Sequence, residues 1–347
     1  MIWQDFPIKD LCELAVDCVN KTAPVVDYET PYRMLRTTNV RGGFVDAENT
    51  RFVAEETFIK WTRRGTPKKG DVILTREAPL GDVGRLTSDN RVFLGQRLFM
   101  YRADPEKLDS EYLAYVLQSP LVQGRFRSKG FGATVEHAKV GDCENLLIPV
   151  PDLVTQKKIG SILSTYDNLI ENNKRRIELL EKTARQLYKE WFVRLRFPGY
   201  EHVKIIDGMP EGWKSCVASQ ALYINPKVSV EKGMEITHVP MACLSESQMT
   251  VDVSKFEKRS IHTPVKFISG DTLFARITPC LENGKTAFVN FLHDKEVACG
   301  STEFLVLRGR KVSNYFAYLL AREESFRGNA IKSMIGSIVD PENWTMC

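Results

Sequence analysis

Apolar residues recur every three or four positions over residues 156–196, the spacing of one face of an α-helix. No glycine or proline interrupts the stretch between Ser161 and Phe197. Prolines precede it and a Pro-Gly pair follows it, as expected at the ends of a helix. The pattern predicts one continuous helix over residues 156–196, roughly 60 Å long at ~1.5 Å per residue.

One face of this predicted helix carries a heptad seam that is apolar except for one asparagine. The seam consists of Ile159, Leu163, Tyr166, Ile170, Asn173, Ile177, Leu180, Ala184, Leu187 and Trp191. Such a seam favours pairing with another helix, and a single buried asparagine fixes the register of the pair. The alternative is a core helix of a large domain, although this length exceeds that of most globular helices.

The chain also contains an internal repeat at an offset of about 200 residues. Residues 70–79 and 270–279 share a Gly-Asp pair, an arginine and a proline at the same spacing. Gly95 and Phe99 then match Gly300 and Phe304, and residues 112–117 match 315–320. The two copies therefore predict two domains built on one scaffold.

Each copy has a mainly β pattern followed by a short helical one. Alternating or short apolar runs predict strands over residues 72–75, 92–102, 272–275 and 304–307, and helical spacing predicts helices over 111–118 and 314–321. The fold class is thus α+β, with two similar mainly-β domains joined by one long α-helix. We place the first domain at residues 1–151, the helix at 152–198 and the second domain at 199–347.

Composition is ordinary for a soluble globular protein. The chain has 347 residues, 43% hydrophobic and 27% charged. It has no apolar run of membrane-spanning length and no secretory signal pattern, so we expect a cytoplasmic protein without membrane contact. The eight cysteines form no CxxC pair, which favours reduced structural thiols and no metal site.

The net charge of +4 is concentrated in the helix. Basic and acidic residues number 21 and 21 in residues 1–151, 17 and 17 in residues 200–347, and 10 and 6 in residues 152–199. Neither flanking domain is basic as a whole, so nucleic-acid binding by either requires a local patch.

The segments flanking the helix carry recognisable motifs. Residues 148–151 read Ile-Pro-Val-Pro and are followed by Gln156 and Ile159; residues 179–199 end in Arg-Phe-Pro-Gly, and residues 209–213 read Met-Pro-Glu-Gly-Trp. With these motifs, residues 1–337 resemble the specificity (S) subunits of type I restriction–modification systems. The resemblance implies two target recognition domains, each followed by a conserved helix, with the two helices packed antiparallel.

This resemblance also implies function and partners. It implies a noncatalytic subunit that binds a bipartite, asymmetric site in double-stranded DNA, with two methyltransferase (M) subunits and a restriction/translocase (R) subunit as partners. No cofactor is expected in this chain, and S-adenosylmethionine is expected on the methyltransferase. After Ser337 the chain contains no second Pro-x-Pro motif and no second helix. We therefore expect a chain truncated before the second conserved helix, whose seam pairs with a second copy as a homodimer or is captured by another subunit.

Candidate DNA contacts are cations and amides grouped in loops, because base edges require hydrogen-bond donors and phosphates require cations. In the first copy they are Arg36, Asn39, Arg41, Arg63, Arg64, Lys68, Lys69, Arg76, Arg127 and Lys129; in the second copy they are Lys258, Arg259, Arg276 and Lys285. The alternative for each is a solvated loop residue. Arg76 and Arg276 recur at equivalent positions, which indicates a shared phosphate contact or, as we favour, a shared structural contact.

The sequence has no recognisable catalytic motif. We find no GxGxxG, P-loop, HExxH or methyltransferase signature. The segment Glu282–Lys285 has the wrong spacing for a nuclease Glu-x-Lys pair, and a turn is the better interpretation. Two rival classes remain: a coiled-coil interaction scaffold whose domains bind protein, and a stand-alone DNA enzyme. The DNA target sequence is not encoded in any pattern that we can interpret.

Overall fold

A computed structural model describes residues 3–130 and 136–332 and the backbone of three short strands after residue 333. The chain divides into two compact units, Met1–Glu171 and Asn172–Cys347. The strands of the first unit are β1 (Gln4–Pro7), β2 (Cys12–Asp17), β3 (Arg33–Leu35), β4 (Val40–Arg41), β5 (Gly43–Val45), β6 (Arg51–Phe52), β7 (Val72–Arg76), β8 (Leu80–Arg85), β9 (Val92–Leu94), β10 (Leu98–Ala103) and β11 (Leu147–Val150). Its helices are α1 (Glu55–Trp61), α2 (Ser110–Gln118), α3 (Pro120–Arg127) and α4 (Val140–Glu144), and the long helix α5 (Leu153–Tyr188) begins in it.

The second unit contains the rest of α5 and a further set of short elements. Its helices are α6 (Ala218–Ala221), α7 (Asn314–Arg322) and α8 (Glu324–Lys332). Its strands are β12 (Ile205–Ile206), β13 (Met209–Pro210), β14 (Cys216–Val217), β15 (Leu222–Ile224), β16 (Ile236–Val239), β17 (Glu257–Arg259), β18 (Lys266–Ile268), β19 (Thr272–Ala275), β20 (Thr286–Phe288), β21 (Val297–Gly300), β22 (Phe304–Gly309), β23 (Met334–Ile335), β24 (Ile338–Val339) and β25 (Thr345–Met346).

A central mixed sheet organises the first unit, with strand order β2-β10-β7-β8-β5-β4. Successive side chains of a strand point to opposite faces, and both faces here are buried. On β7, Val72 and Leu74 pack with α2 and α3 on one face, while Ile73 packs on the other against the small sheet β6-β3-β9. Strand β7 therefore contributes side chains to the hydrophobic cores on both faces of the central sheet.

The second unit repeats this plan. Its central sheet has the order β15-β22-β19-β20, and its second sheet has the order β17-β16-β21-β18. On β19, Phe274 packs with α7 and α8, while Leu273 faces the second sheet. In both second sheets one strand pair is parallel, β3 with β9 and β16 with β21. The prediction of two similar mainly-β domains and a long helix is confirmed.

Strand pairing corrects the alignment of the two copies by one residue. Thr75 lies opposite Leu98, and its counterpart Ala275 lies opposite Phe304. Phe304 therefore corresponds to Leu98 and not to Phe99, as the sequence comparison had it.

The single strand predicted over residues 92–102 is two strands in different sheets. Residues 95–97 interrupt the predicted strand and separate β9 from β10. A side chain at Gly95 would lie 2.2 Å from the carbonyl oxygen of Leu35, and Arg97 has a left-handed backbone with φ of 71°. The prediction was wrong because the apolar alternation continues across a break that a distant segment imposes.

The repeated Gly-Asp pair holds a buried ion pair in each unit. Asp71 accepts two hydrogen bonds from Arg102, at 2.9 and 2.7 Å, and one from its own turn. Asp271 accepts two from Arg308, at 2.6 and 2.8 Å, and one from the backbone of Ile268. Both carboxylates are inaccessible to solvent or nearly so, which explains why the pair recurs.

Helix α5 is continuous over 36 residues and ends earlier than predicted. A π-helical turn follows at Lys189–Val193, so the predicted end at residue 196 is wrong. The extra residue in a π turn rotates later positions away from the heptad face. Trp191 lies in this turn and packs edge-on against Phe192, with ring centroids 6.4 Å apart, and its place on the seam stays a prediction.

The first turns of α5 are fixed to the first unit by polar contacts. Gln156 is buried; its carbonyl oxygen accepts from the backbone N–H of Asp109, and its amide donates to the carbonyl of Lys107. At Gly160 a side-chain carbon would lie 2.8 Å from the Asp109 carboxylate, so only glycine fits. Ile159 packs against the first core. The Gln-x-x-Ile motif thus fixes the start of α5 to the core of the first unit.

The last turns of α5 are fixed to the second unit. Tyr188 is buried and packs on Phe316, with ring centroids 5.3 Å apart. Glu181 accepts from the backbone N–H of Met249 at 2.7 Å, and it pairs with Arg185 at 3.1 Å. This end of the helix therefore belongs to the second core.

Most of the predicted seam is exposed in the single chain. The exposed fractions are 39% for Leu163, 63% for Tyr166, 52% for Ile170, 46% for Ile177, 66% for Leu180 and 46% for Leu187. Asn173 is also exposed. We predicted a buried seam on one face of the helix for Ile159, Leu163, Ile170, Ile177, Leu180 and Leu187, and these residues share a face that drifts by about 20° per heptad. Ile159 packs against the first core, whereas the described part of the chain does not bury the other five. Pairing of the seam stays a prediction.

Candidate nucleic-acid interface

Two predicted cations of the first unit lie on elements that pack against the same strand. Arg41 is on β4 and Arg127 is at the end of α3, and both elements contact β8, which carries Asp82. Burial raises the pKa of Asp82, and the charges of Arg41 and Arg127 lower it. Both arginines are exposed. They present two guanidinium groups, separated by 86 positions in sequence, near the β7–β8 hairpin.

Lys129 extends this group past the end of α3. It is exposed and lines a cleft of about 320 Å³ together with Arg125. Arg125 is held by Asp5, whose oxygens lie 2.8 Å from both terminal nitrogens of the guanidinium. Hydrogen bonding to Arg125 lowers the pKa of Asp5. Lys129 is therefore the cation of this cleft that remains exposed.

The cation-rich run over residues 60–69 crosses the surface beside β2. Arg63, Lys68 and Lys69 have exposed side chains, while Arg64 pairs with Asp17 at the end of β2. The backbone N–H of Lys68 donates to the carboxylate of Asp71 in the turn before β7. Exposed cations on a fixed turn suit phosphate contacts.

Three predicted contacts of the first unit have other surroundings. Asn39 is only 5% exposed; its amide carbonyl accepts from the backbone of Arg36, and its amide N–H donates to the carbonyl of Asn49. This placement corrects the predicted base contact, because the buried amide holds a loop through both its oxygen and its nitrogen. Arg36 is half-buried. Arg76 is also half-buried and donates to the carbonyl of Ala138 at 3.2 Å.

In the second unit, the predicted cations split between a strand and the hairpin region. Lys258 and Arg259 lie exposed on β17; Lys258 donates to the hydroxyl of Thr237, and Arg259 pairs with Glu257. The Arg259 guanidinium also contacts His238 at 3.3 Å. Burial lowers the pKa of His238, Arg259 lowers it further, and Glu257 raises it.

The other two predicted cations of the second unit are less exposed. Arg276 is half-buried with its Nε atom 3.5 Å from the Glu303 carboxylate. Lys285 is half-buried after the turn of residues 280–284. A turn at this point agrees with our interpretation of Glu282–Lys285.

Sequence reasoning missed a polar cleft at the tip of the β7–β8 hairpin. The cleft has a volume of about 270 Å³ and is lined by Asn20, Arg76, Glu77, Gln96, Arg97, His137 and Ala138. The side chains that line it come from the end of β7 and the residue after it, from the loops after β2 and β9, and from residues 137 and 138, and they share no sequence motif. The one available signal was the strand break at Arg97, which the alternating pattern hid.

Comparison with known proteins identifies the family. The sequence profile of the type I restriction modification DNA specificity domain matches residues 2–182, more than half of the chain. This chain belongs to the type I restriction–modification DNA specificity family.

Relatives in this specificity family cover different lengths of the chain. The MjaIX specificity subunit of Methanocaldococcus jannaschii is 31% identical over 150 residues, 42% of this chain and 34% of that protein. The MjaVIII subunit of the same organism is 23% identical over 339 residues, 91% of this chain and 74% of that protein. The EcoEI subunit of Escherichia coli is 34% identical over 122 residues, 34% of this chain and 20% of that protein. The chain thus spans about a third or less of the first and third of these relatives.

A solved specificity subunit has the same fold. The S subunit of the type I restriction–modification system of M. genitalium superposes with a TM-score of 0.56 at 15% identity, covering 97% of this chain and 81% of that one. In the described part of this specificity chain, no helix is both long and apolar enough to cross a membrane. Among the same residues, no group of His, Cys, Asp or Glu side chains has the arrangement of a metal site.

Proposed function

We propose that this chain is the sequence-specificity subunit of a type I restriction–modification complex and binds a bipartite, asymmetric site in double-stranded DNA. The observation that carries this proposal is the repeated domain architecture with different surface cations in each copy. A common scaffold with different readers suits two different half-sites. The family assignment supports the same activity.

Methylation and cleavage of the DNA are then carried out by partner subunits. In this proposal the chain is noncatalytic and recruits two methyltransferase subunits, which hold S-adenosylmethionine, and a restriction/translocase subunit. The exposed seam of α5 supports a helix-binding partner, because an apolar stripe of this length is costly to leave in water. We propose that a second copy of the chain packs antiparallel on it, with Asn173 facing its mate near the middle.

DNA binding with methyltransferase present tests the proposal. Because neither domain is basic overall, we expect tight specific binding only when the methyltransferase subunit is added. If six or more phosphates are contacted, affinity should fall roughly a thousandfold or more between 50 and 200 mM salt. Fluorescence anisotropy with a labelled duplex measures both effects.

The rival classes give different results in that experiment. An interaction scaffold gives no salt-dependent DNA binding with or without methyltransferase. A stand-alone enzyme gives metal-dependent nicking by the purified chain alone. Nanomolar binding to specific DNA by the isolated chain at physiological salt counts against the dependence on methyltransferase.

A further inference from the structure

The ends of two strands of the central sheet in the first unit lie beside the start of the strand between them, and polar side chains are found there. β2 ends at Asp17, β7 ends at Arg76, and β10 begins at Leu98. Since β2-β10-β7 are antiparallel neighbours, these three ends coincide. The backbone N–H of Arg76 donates to the carbonyl of Arg97 at 2.8 Å and ties two of the ends together.

Arg97 is held there in an unusual backbone conformation. Its φ of 71° places a long side chain in the left-handed region, which residues other than glycine seldom adopt. Its side chain is 50% exposed and its Nε lies 3.3 Å from the Glu77 carboxylate. Such a conformation persists only when surrounding structure imposes it, and it is enriched at functional sites.

The groups beside Arg97 offer hydrogen bonds to a ligand. Asn20, Gln96 and His137 are exposed and line the same cleft. Arg76 forms the inner wall, and its buried Nε has no hydrogen-bond partner among the described residues. Amide and guanidinium groups are the side chains that recognise purine edges.

The second unit has the same backbone contact, but the residue that corresponds to Arg97 carries the opposite charge. Arg276 corresponds to Arg76, and its backbone N–H donates to the carbonyl of Glu303 at 3.0 Å. Glu303 therefore occupies the position of Arg97. Its Oε2 atom accepts no hydrogen bond from the described residues but lies 3.5 Å from Nε of Arg276, and the side chain as a whole is 30% exposed. The scaffold arginine is shared, while the residue beside it is a donor in one unit and an acceptor in the other.

We propose that this strand-end cleft contacts base edges in the major groove of DNA, and that Arg97 and Glu303 are specificity-determining residues of the two domains. Arg97 then donates to guanine, whose O6 and N7 atoms accept a bidentate guanidinium. Glu303 accepts from the N4 amino group of cytosine. This inference rests on the proposed DNA-binding function and adds to it the readers within each domain.

The test compares variants in complex with the methyltransferase subunit. Arg97→Asn removes the guanidinium and retains a residue that tolerates the left-handed backbone. We expect a roughly 10- to 100-fold loss of discrimination at one base pair of the first half-site, with the second half-site unchanged. Glu303→Gln should instead change one base pair of the second half-site. Binding to duplex libraries followed by sequencing gives both preferences.

Arg91→Asn is the matched control. Arg91 is an exposed cation of the same unit that stacks on the ring of Tyr32, outside the cleft. We expect its sequence preference to match that of the unmodified chain. Gln96→Ala provides a second variant of the cleft if Arg97→Asn impairs folding, which thermal melting reveals.

The outcomes separate this inference from the proposed function. An equal loss of affinity on all sequences, with a salt slope lower by about one, makes Arg97 a phosphate contact and overturns the inference. Unchanged preference in Arg97→Asn, Gln96→Ala and Glu303→Gln overturns it as well. If the unmodified complex shows no sequence preference, the proposed function itself fails.

Discussion

The chain carrying Leu163→Glu, Ile170→Glu and Leu180→Glu is expected to be monomeric under conditions in which the unmodified chain is a dimer. In an antiparallel pair each position occurs twice, so six buried side chains are replaced by carboxylates. At about 1.5–3 kcal/mol for each Leu or Ile, the lost burial is on the order of 10 kcal/mol. This value is an upper estimate, because the three side chains are only 39–66% exposed in the single chain, so pairing removes only part of their surface from water. Light scattering at micromolar concentration measures the mass directly.

A matched control places the same charges on the opposite face of α5. Ser161, Asn168 and Asn172 are exposed and lie about 180–220° around the helix from Ile159 at ~100° per residue. Their replacement by Glu should leave the dimer intact. A monomeric unmodified chain rules out self-pairing, and a dimer that survives the seam changes shows that the interface lies elsewhere.

Asp271→Ala is expected to destabilise the second unit by about 3 kcal/mol or more. The change leaves the Arg308 guanidinium, which is only 24% exposed, without its carboxylate. It also removes the acceptor of the Ile268 backbone N–H. Chemical denaturation followed by a probe in the second unit measures the loss, and Asp71→Ala should produce the same effect in the first unit.

The exposed pair of Asp252 and Lys255 provides the control for this loss. Their nitrogen–oxygen distance is 2.9 Å, but both side chains are largely in water. Exposed pairs contribute little, so Lys255→Ala, which removes the pair and keeps the hydrogen bonds of Asp252 to Ser254, should leave the unfolding midpoint nearly unchanged. A double change of Asp271 and Arg308 to apolar residues should cost less than Asp271→Ala, because no unpaired charge remains. Equal loss in the single and double variants contradicts the ion-pair explanation.

Periodic patterns predicted the elements whose causes are local. The helix α5 follows from a breaker-free heptad pattern, and the strands after Gly70 and Gly270 follow from short apolar runs opened by a turn. The helix end was misplaced because aromatic packing around Tyr188 and Phe316, distant in sequence, accompanies a π turn. Non-local contacts set the boundaries that local patterns could not.

The candidate interface was predicted only in part for the same reason. Arg41 and Arg127 were identified as cations, but only the packing of β4 and α3 against β8 places both of them beside that strand. Asn39 was misassigned because a polar loop residue looks exposed until its hydrogen bonds are known. Arg97 was missed because its proposed role depends on the hydrogen bond that its carbonyl accepts from the backbone of Arg76, and no sequence pattern shows that contact.

Methylome sequencing tests the central claim most directly. Cells carrying this chain with its methyltransferase subunit should contain one methylated motif of two specified segments separated by an unspecified spacer. Deleting the gene for this chain should abolish that motif while the methyltransferase is still produced. An unsplit motif, or methylation that persists without this chain, would contradict its role as the reader of a bipartite DNA site.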